Sequence, residues 1–483
     1  MIEPVDTPET QKPDAIFVVH RGTPTDAMIH CCRQAGCARV LLLTPHEVFA
    51  FERRALAAVL VPTTVEFATL ADLFNDADLA AIDDATTREL QGRRASAWNY
   101  IEAYEHLAAE KKNRAARERI VARRPGTPVL VDEGLGVIAA AWRGERASQV
   151  RRRPFSFWLH EGGRGVWLAH LRQRCQRPPR EVLRMRDEKA DYFFLSSLRR
   201  LPLVPGAQPE PVPIAELRAD SRHPKFAAVA LHDYQPWMLG LGRPLRVFVD
   251  SFLPSNYPRS YLDGYGNAEF MCPDPISSRW IEGHGYTVRK PPAFIQPARF
   301  VPAVAPTALR VVVLLLNHTG DWAALINRSD TDRLLMGFGG VAAARPELQF
   351  VIRPHPGAEH PRHEGIGALA RIGAFVRESG LANLSVSTES LARDLERGDF
   401  FVSEYSATLL EAWRRGKIGT AANLTGRRSL MRDFAELGFS HVDTVDALRA
   451  SIEEARADPV PFARVQSVAA GRYNALLAAY LGT

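Results

Sequence analysis

The sequence has little cysteine, no long apolar run and no strong excess of either charge. Its 483 residues include five cysteines, Cys31, Cys32, Cys37, Cys175 and Cys272. Odd in number and without CxxC pairs, they exclude a disulfide framework and a zinc site of the usual spacing, and they point to a reduced compartment. The longest apolar run, "VVVLLL" at 311–316, is far shorter than the roughly 20 residues that cross a bilayer. The opening "MIEPVDTPETQKPD" is acidic and proline-bearing, the opposite of a signal peptide. Lys and Arg number 61 against 55 Asp and Glu, a net charge of +6, which favours anionic partners but is too small to imply nucleic-acid binding. There is no internal repeat and no low-complexity tract. The expectation is a cytoplasmic protein, soluble or peripheral to an anionic inner membrane.

What is present is apolar material in alternating segments. At 46% hydrophobic residues, a chain of this length builds two or more cores. "DAIFVVHRGTPTDAMIHCCRQAGCARVLLLTP" reads as strand, turn, helix and strand, the start of a βαβ unit. A polar, helix-prone stretch follows over about 68–124, and then the strand "TPVLV". Farther on, "LRVFVDSF" (245–252) reads as a strand and "NAEFMCPDPISSRWIEGHGY" (267–286) as strand, Pro-marked turn and helix.

A second α/β unit is predicted from the strands "LRVVVLLLN" (309–317), "LQFVIR" (348–353), "NLSVS" (383–387), "DFFVS" (399–403) and "KIGTAA" (417–422), with helical stretches between them. The expected order is a flexible N-terminus (1–14), an N-terminal Rossmann-like domain (15–290), a proline-rich linker (291–307), a C-terminal Rossmann-like domain (308–460), and a C-terminal helix (461–483) packing back across the domains. In such sheets ligands meet the carboxyl ends of the strands, which narrows the chemistry to three stretches.

The first is "VDEG" at 131–134. Asp132 and Glu133 are neighbours on an extended backbone, so they point in different directions and at most one faces a cleft. Two readings stay open: a strand-end turn capping the next helix, or a general base towards a hydroxyl, with Gly134 permitting a sharp turn or close ligand approach. The second is "RPHP" at 353–356. Pro356 and its partner stiffen the loop around His355, an imidazole able to protonate a departing phosphate, with Arg353 beside it as added charge or as a surface arginine.

The third stretch is "SEYSATLLEA" at 403–412, which brings the hydroxyls of Ser403, Ser406 and Thr408 to a helix N-terminus, a setting that suits phosphate. It also fits plain capping, either by a Thr408–Glu411 capping box or by Ser406 as N-cap. Glu389 opens another helix after a strand, placed to accept from ribose hydroxyls or to favour the helix dipole. The basic stretches "EKKNRAARERIVARRPG" (110–126) and "RRRPFSFW" (151–158) fit anionic lipid or charged glycan, and equally a solvated helix face.

Together these stretches resemble the bacterial sialyltransferases of GT-B fold, the lipooligosaccharide sialyltransferases and capsular polysialyltransferases. That family has a D/E-D/E-G motif in the N-terminal domain and HP and S-S/T motifs in the C-terminal one. "DEG" at 132–134 and "HP" at 355–356 match in type, order and domain. The serine motif departs, since Ala407 follows Ser406 and Thr408 comes one place later. Capsule Kdo transferases show comparable acid-acid-glycine and HP stretches, and teichoic-acid glycerophosphotransferases a D-Y-S-S variant similar to "EYSAT".

The resemblance implies two Rossmann-like domains facing a central cleft. It implies transfer of a nonulosonic acid, sialic acid foremost, from a CMP-activated donor to a glycan hydroxyl in bacterial surface polysaccharide or lipooligosaccharide synthesis. Asp132 would be the base, with Glu133 as second candidate. His355 would assist departure of CMP and Glu389 would hold the cytidine ribose, with Gly134, Arg353, Pro356, Ser403, Ser406 and Thr408 around the donor. Neither a metal nor a cofactor beyond the co-substrate is expected. The alternatives are a CMP-Kdo transferase of capsule or O-antigen synthesis and a non-catalytic nucleotide- or glycan-binding protein.

Overall fold

The computed structural model describes residues 14–19, 38–44, 49–60, 63–69, 73–92, most of 111–132, 181–186, 191–194, 203–213, 226–230, 245–249, 268–316, 328–355, 368–404, 406–424 and 431–482. These form an α/β protein built on three sheets.

The first sheet contains β1 (Ala15–Val19), β2 (Arg39–Thr44), β3 (Thr64–Thr69) and β4 (Val129–Asp132), with α1 (Ala50–Leu60) and α2 (Asp76–Gly92) in the connections. Its order is β3-β2-β1-β4 and every pair is parallel. "IFVV" and "VLLL" are continuous apolar runs because strands of a parallel sheet are covered on both faces, and Ile16, Val40, Leu42 and Leu43 are buried accordingly.

The second sheet contains β5 (Glu181–Arg186), β6 (Asp191–Phe194), β7 (Glu210–Pro213), β8 (Phe226–Ala230), β9 (Leu245–Phe248), β10 (Glu269–Met271) and β11 (Val288–Arg289), in the order β11-β10-β9-β8-β6-β5-β7. It is mixed: β5 runs antiparallel to both β6 and β7, while the rest is parallel. The stretch 15–290, read from sequence as one Rossmann-like domain, therefore divides between two sheets. β5 to β7 are short strands carrying arginine, acid and proline, and β5 lies between β6 and β7 at one edge of the second sheet. After β10, α3 (Pro275–Gly283) starts at the N-cap Asp274, whose carboxylate accepts from the amides of Ile276 (3.0 Å) and Ser277 (2.8 Å).

Residues 290–310 contain no helix or strand and lead to the third sheet. It comprises β12 (Val311–Leu315), β13 (Gln349–Arg353), β14 (Leu384–Val386), β15 (Phe400–Ser403), β16 (Ile418–Ala422) and β17 (His441–Val442), all parallel, in the order β14-β13-β12-β15-β16-β17. This is the doubly wound order of a dinucleotide-type sheet. Around it lie α4 (Arg328–Ala344), α5 (Ala368–Ser379), α6 (Leu391–Arg397), α7 (Ala407–Arg414), α8 (Arg432–Leu437), α9 (Val445–Ala457) and α10 (Pro459–Leu481). Two buried clusters cover the faces, one around Phe338, Phe350 and Phe400, the other around Phe401, Trp413, Phe434 and Tyr473.

Helix α10 begins at Asp458 with Pro459 in its first turn and ends at Gly482, whose φ of 74° is the left-handed closure that glycine adopts freely. It bonds to the linker, to β16 and to the residue after β10. Asn474 exchanges two hydrogen bonds with the Phe300 backbone (3.0 and 2.7 Å), Gln466 accepts from the Gly419 amide (3.2 Å), and the Tyr480 hydroxyl donates to the Cys272 carbonyl (3.1 Å).

Candidate functional site

In both parallel sheets the order of strands reverses at one place. In the first, the chain steps outward from β1 through β2 to β3 and returns to lay β4 on the other side of β1. In the third, it steps from β12 through β13 to β14 and returns to lay β15 beside β12. In the third sheet the connections leave β12 and β15 in opposite directions, towards β13 and towards β16, and in sheets of this kind ligands bind at the carboxyl ends of such a pair.

Asp132 is the last residue of β4, in register with Val19 at the end of β1. The acid singled out from sequence thus stands, by its backbone, at the reversal point of the first sheet. Glu133, Gly134 and Pro356 lie outside the described residues.

On the third sheet the remaining candidates share one edge. Ser403 closes β15 with its side chain fully buried, and its hydroxyl donates to the Leu315 carbonyl at the end of β12 (2.6 Å). It ties the two central strands together at the reversal point. Ser406 is the N-cap of α7, with extended backbone (φ −154°, ψ 134°), and its Oγ accepts from the Thr408 amide (3.1 Å) and shares a short hydrogen bond with Thr408 Oγ1. The Thr408–Glu411 capping box gives way to this arrangement, because α7 starts one residue after Ser406. Glu411 pairs instead with Arg415 one turn on (2.9 Å).

His355 lies two residues beyond β13, partly buried, one strand from the crevice. Arg353 closes β13 and turns inward: Nη1 donates to Asp394 Oδ2 (2.6 Å) and to the Glu389 carbonyl (2.7 Å). Asp394 is fully buried, also paired with Arg397 (2.7 Å), and accepts from Ser387 Oγ (2.9 and 2.7 Å). Arg353 is therefore neither a surface arginine nor spare charge. It fastens the turn carrying Glu389 next to the strand that leads to His355, leaving the Glu389 side chain exposed. Sequence reasoning missed Asp394 and Ser387, whose only signal was a polar pair at the start of a helix behind a strand.

In the basic stretch 110–126, Lys111 pairs with Glu89 (2.7 Å), Arg119 with Asp78 while lying over the Phe74 ring, and Arg124 with Glu66 (3.7 Å). These three cations face acids of α2 and β3; 151–158 lies outside the described residues. Among the described residues no group of three or more His, Cys, Asp or Glu is placed to hold a metal, and no helix is long and apolar enough to cross a membrane.

These features define a doubly wound α/β protein with candidate polar groups gathered at the carboxyl ends of two parallel sheets. No family model and no curated protein matches the chain. Among solved structures it is similar to a glycosyltransferase from Rickettsia africae (8% identity, 98% of each chain, TM-score 0.34) and to S. aureus TarM in complex with fondaparinux, alpha-GlcNAc-glycerol and UDP (9% identity, 97% of this chain and 99% of that one, TM-score 0.38). A glycosylation associate protein complex from Streptococcus agalactiae is similar over 56% of this chain and 55% of that one (11% identity, TM-score 0.32). The chain thus spans about half the length of that last relative. TM-scores this low leave the class of the chain resting on its own strand order.

Proposed function

We propose that the chain is a glycosyltransferase of GT-B type that moves a sugar from a CMP-activated donor to a glycan hydroxyl, with a nonulosonic acid, sialic acid foremost, as the sugar. The observation that carries this reading is the placement of Asp132 at the reversal point of one parallel sheet, with Ser403, Ser406 and His355 along the carboxyl edge of the other.

In this reading Asp132 takes the proton of the acceptor hydroxyl as its oxygen bonds to the anomeric carbon. The bond from that carbon to the CMP phosphate breaks, and His355 gives a hydrogen bond or proton to the phosphate oxygen that leaves. A base on one face of the sugar and an acid on the other suit an inverting displacement. Thr408 and the capped amides of α7 meet the phosphate. Glu389, held by Arg353, meets the ribose. Glu133 is the second candidate for the base. Ser406 caps α7 on its own instead of forming a serine pair, which favours keeping CMP-Kdo as a second donor.

Asp132→Ala and His355→Ala should each lower transfer from CMP-sialic acid or CMP-Kdo by about 10² to 10⁴ with unchanged circular dichroism. Near wild-type turnover in both variants removes the assignment. An NMR reading of the product's anomeric configuration separates inversion from retention.

A further inference from the structure

The first and third sheets are joined by a buried clasp. Phe49 stands directly before α1, on the connection that leaves the carboxyl end of β2, and only 2% of it is exposed. It belongs to the core cluster of the third sheet, among Leu334, Phe338 and Ile372 of α4 and α5. Its ring lies 5.0 Å from that of Phe375, and the Arg371 guanidinium lies over it at 4.0 Å. Arg371 forks onto Glu52 of α1, Nε donating to Oε1 (2.7 Å) and Nη2 to Oε2 (3.1 Å), while Nη1 pairs with Asp332 of α4. Glu52 Oε2 also accepts from the Phe49 amide (2.9 Å), so one carboxylate caps α1 and receives the guanidinium. At the rim, Arg54 and Glu378 form an exposed pair (3.7 Å).

Burial opposes the charge on Arg371, but the carboxylates of Asp332 and Glu52 outweigh it and hold the pKa above the ordinary arginine value. Removing one partner of a desolvated bidentate fork costs far more than breaking a surface ion pair, because the other charge is left buried and unpaired. Parting the units would also bring the Phe49 ring into water.

We propose that the Phe49–Glu52–Arg371–Asp332 clasp fastens the first sheet to the third, so that the two unfold as one cooperative body. The clasp is independent of any donor, and its test is independent of turnover. Hydrogen exchange on the full chain compares wild type with Glu52→Gln, changed on one side of the joint, and Arg371→Gln, changed on the other. Amides of β1 to β3 should exchange at least about tenfold faster in both variants, while those of β12 and β15 keep wild-type protection. Wild-type protection of β1 to β3 in both variants, or loss confined to the third sheet, overturns the proposal. If either variant fails to fold, Phe49→Leu and Arg371→Lys carry the same readout with smaller changes, and the same two outcomes decide.

Discussion

Arg353 shows how far a single residue can be judged from sequence. Its place after "LQFVI" suggested charge for a ligand, yet its guanidinium is committed to buried Asp394 and to the Glu389 carbonyl. Arg353→Met should destabilise the fold by about 2 to 4 kcal/mol, since it leaves a buried carboxylate with Arg397 as its remaining cation; urea unfolding measures this. A loss of activity without that loss of stability would contradict the tie. His441 on β17 gives a residue-scale dependence on pH. Burial holds its pKa below the ordinary value despite the pull of Asp443, and its Nε2 is buried without a hydrogen-bond partner among the described residues. Its folded pKa lies below the unfolded value of about 6.5, so its contribution to stability is full above that value and is lost as pH falls through the folded pKa. The unfolding midpoint should therefore drop as pH falls below about 6.5, and His441→Gln should flatten part of that drop.

At the scale of elements, the helix that follows β15 is stopped by Gly416. Gly416 has φ 72°, its carbonyl accepts from Val304 (2.8 Å), and a Cβ there would meet the Pro302 carbonyl at 2.7 Å. Gly416→Ala should cost more than about 1 kcal/mol in thermal or urea unfolding, because both the backbone conformation and the linker contact resist a side chain. A neutral result would mean that the linker packs more loosely against α7 than described. Strands β12 to β16 of the third sheet were legible, the central ones because buried parallel strands are apolar runs such as Val311–Leu315, whereas the two-residue β17 was not. Nor was strand β3, since "TVEFAT" is a partly exposed edge strand with no unbroken apolar run. Strands β5 to β7 escaped for a related reason: "EVLRMR" and "EPVP" carry charge and proline, and antiparallel pairing at an edge leaves no apolar run to see.

Over the whole molecule, the candidate site was legible to the extent that strand ends were. Asp132 and His355 were singled out because each follows an apolar run, and the strand order then gave their backbone positions a topological meaning that spacing alone lacks. The clasp could not be read, because Glu52 and Arg371 are 319 residues apart and neither sits in a motif. The central claim is a cytidine nucleotide at the carboxyl edge of the third sheet, and nucleotide thermal-shift measurement tests it most directly. CMP should raise the unfolding midpoint of the full chain, and UDP and GDP should leave it unmoved; at a concentration of 100 times Kd the stabilisation would be about 2.7 kcal/mol. Stabilisation by UDP alone would contradict the account.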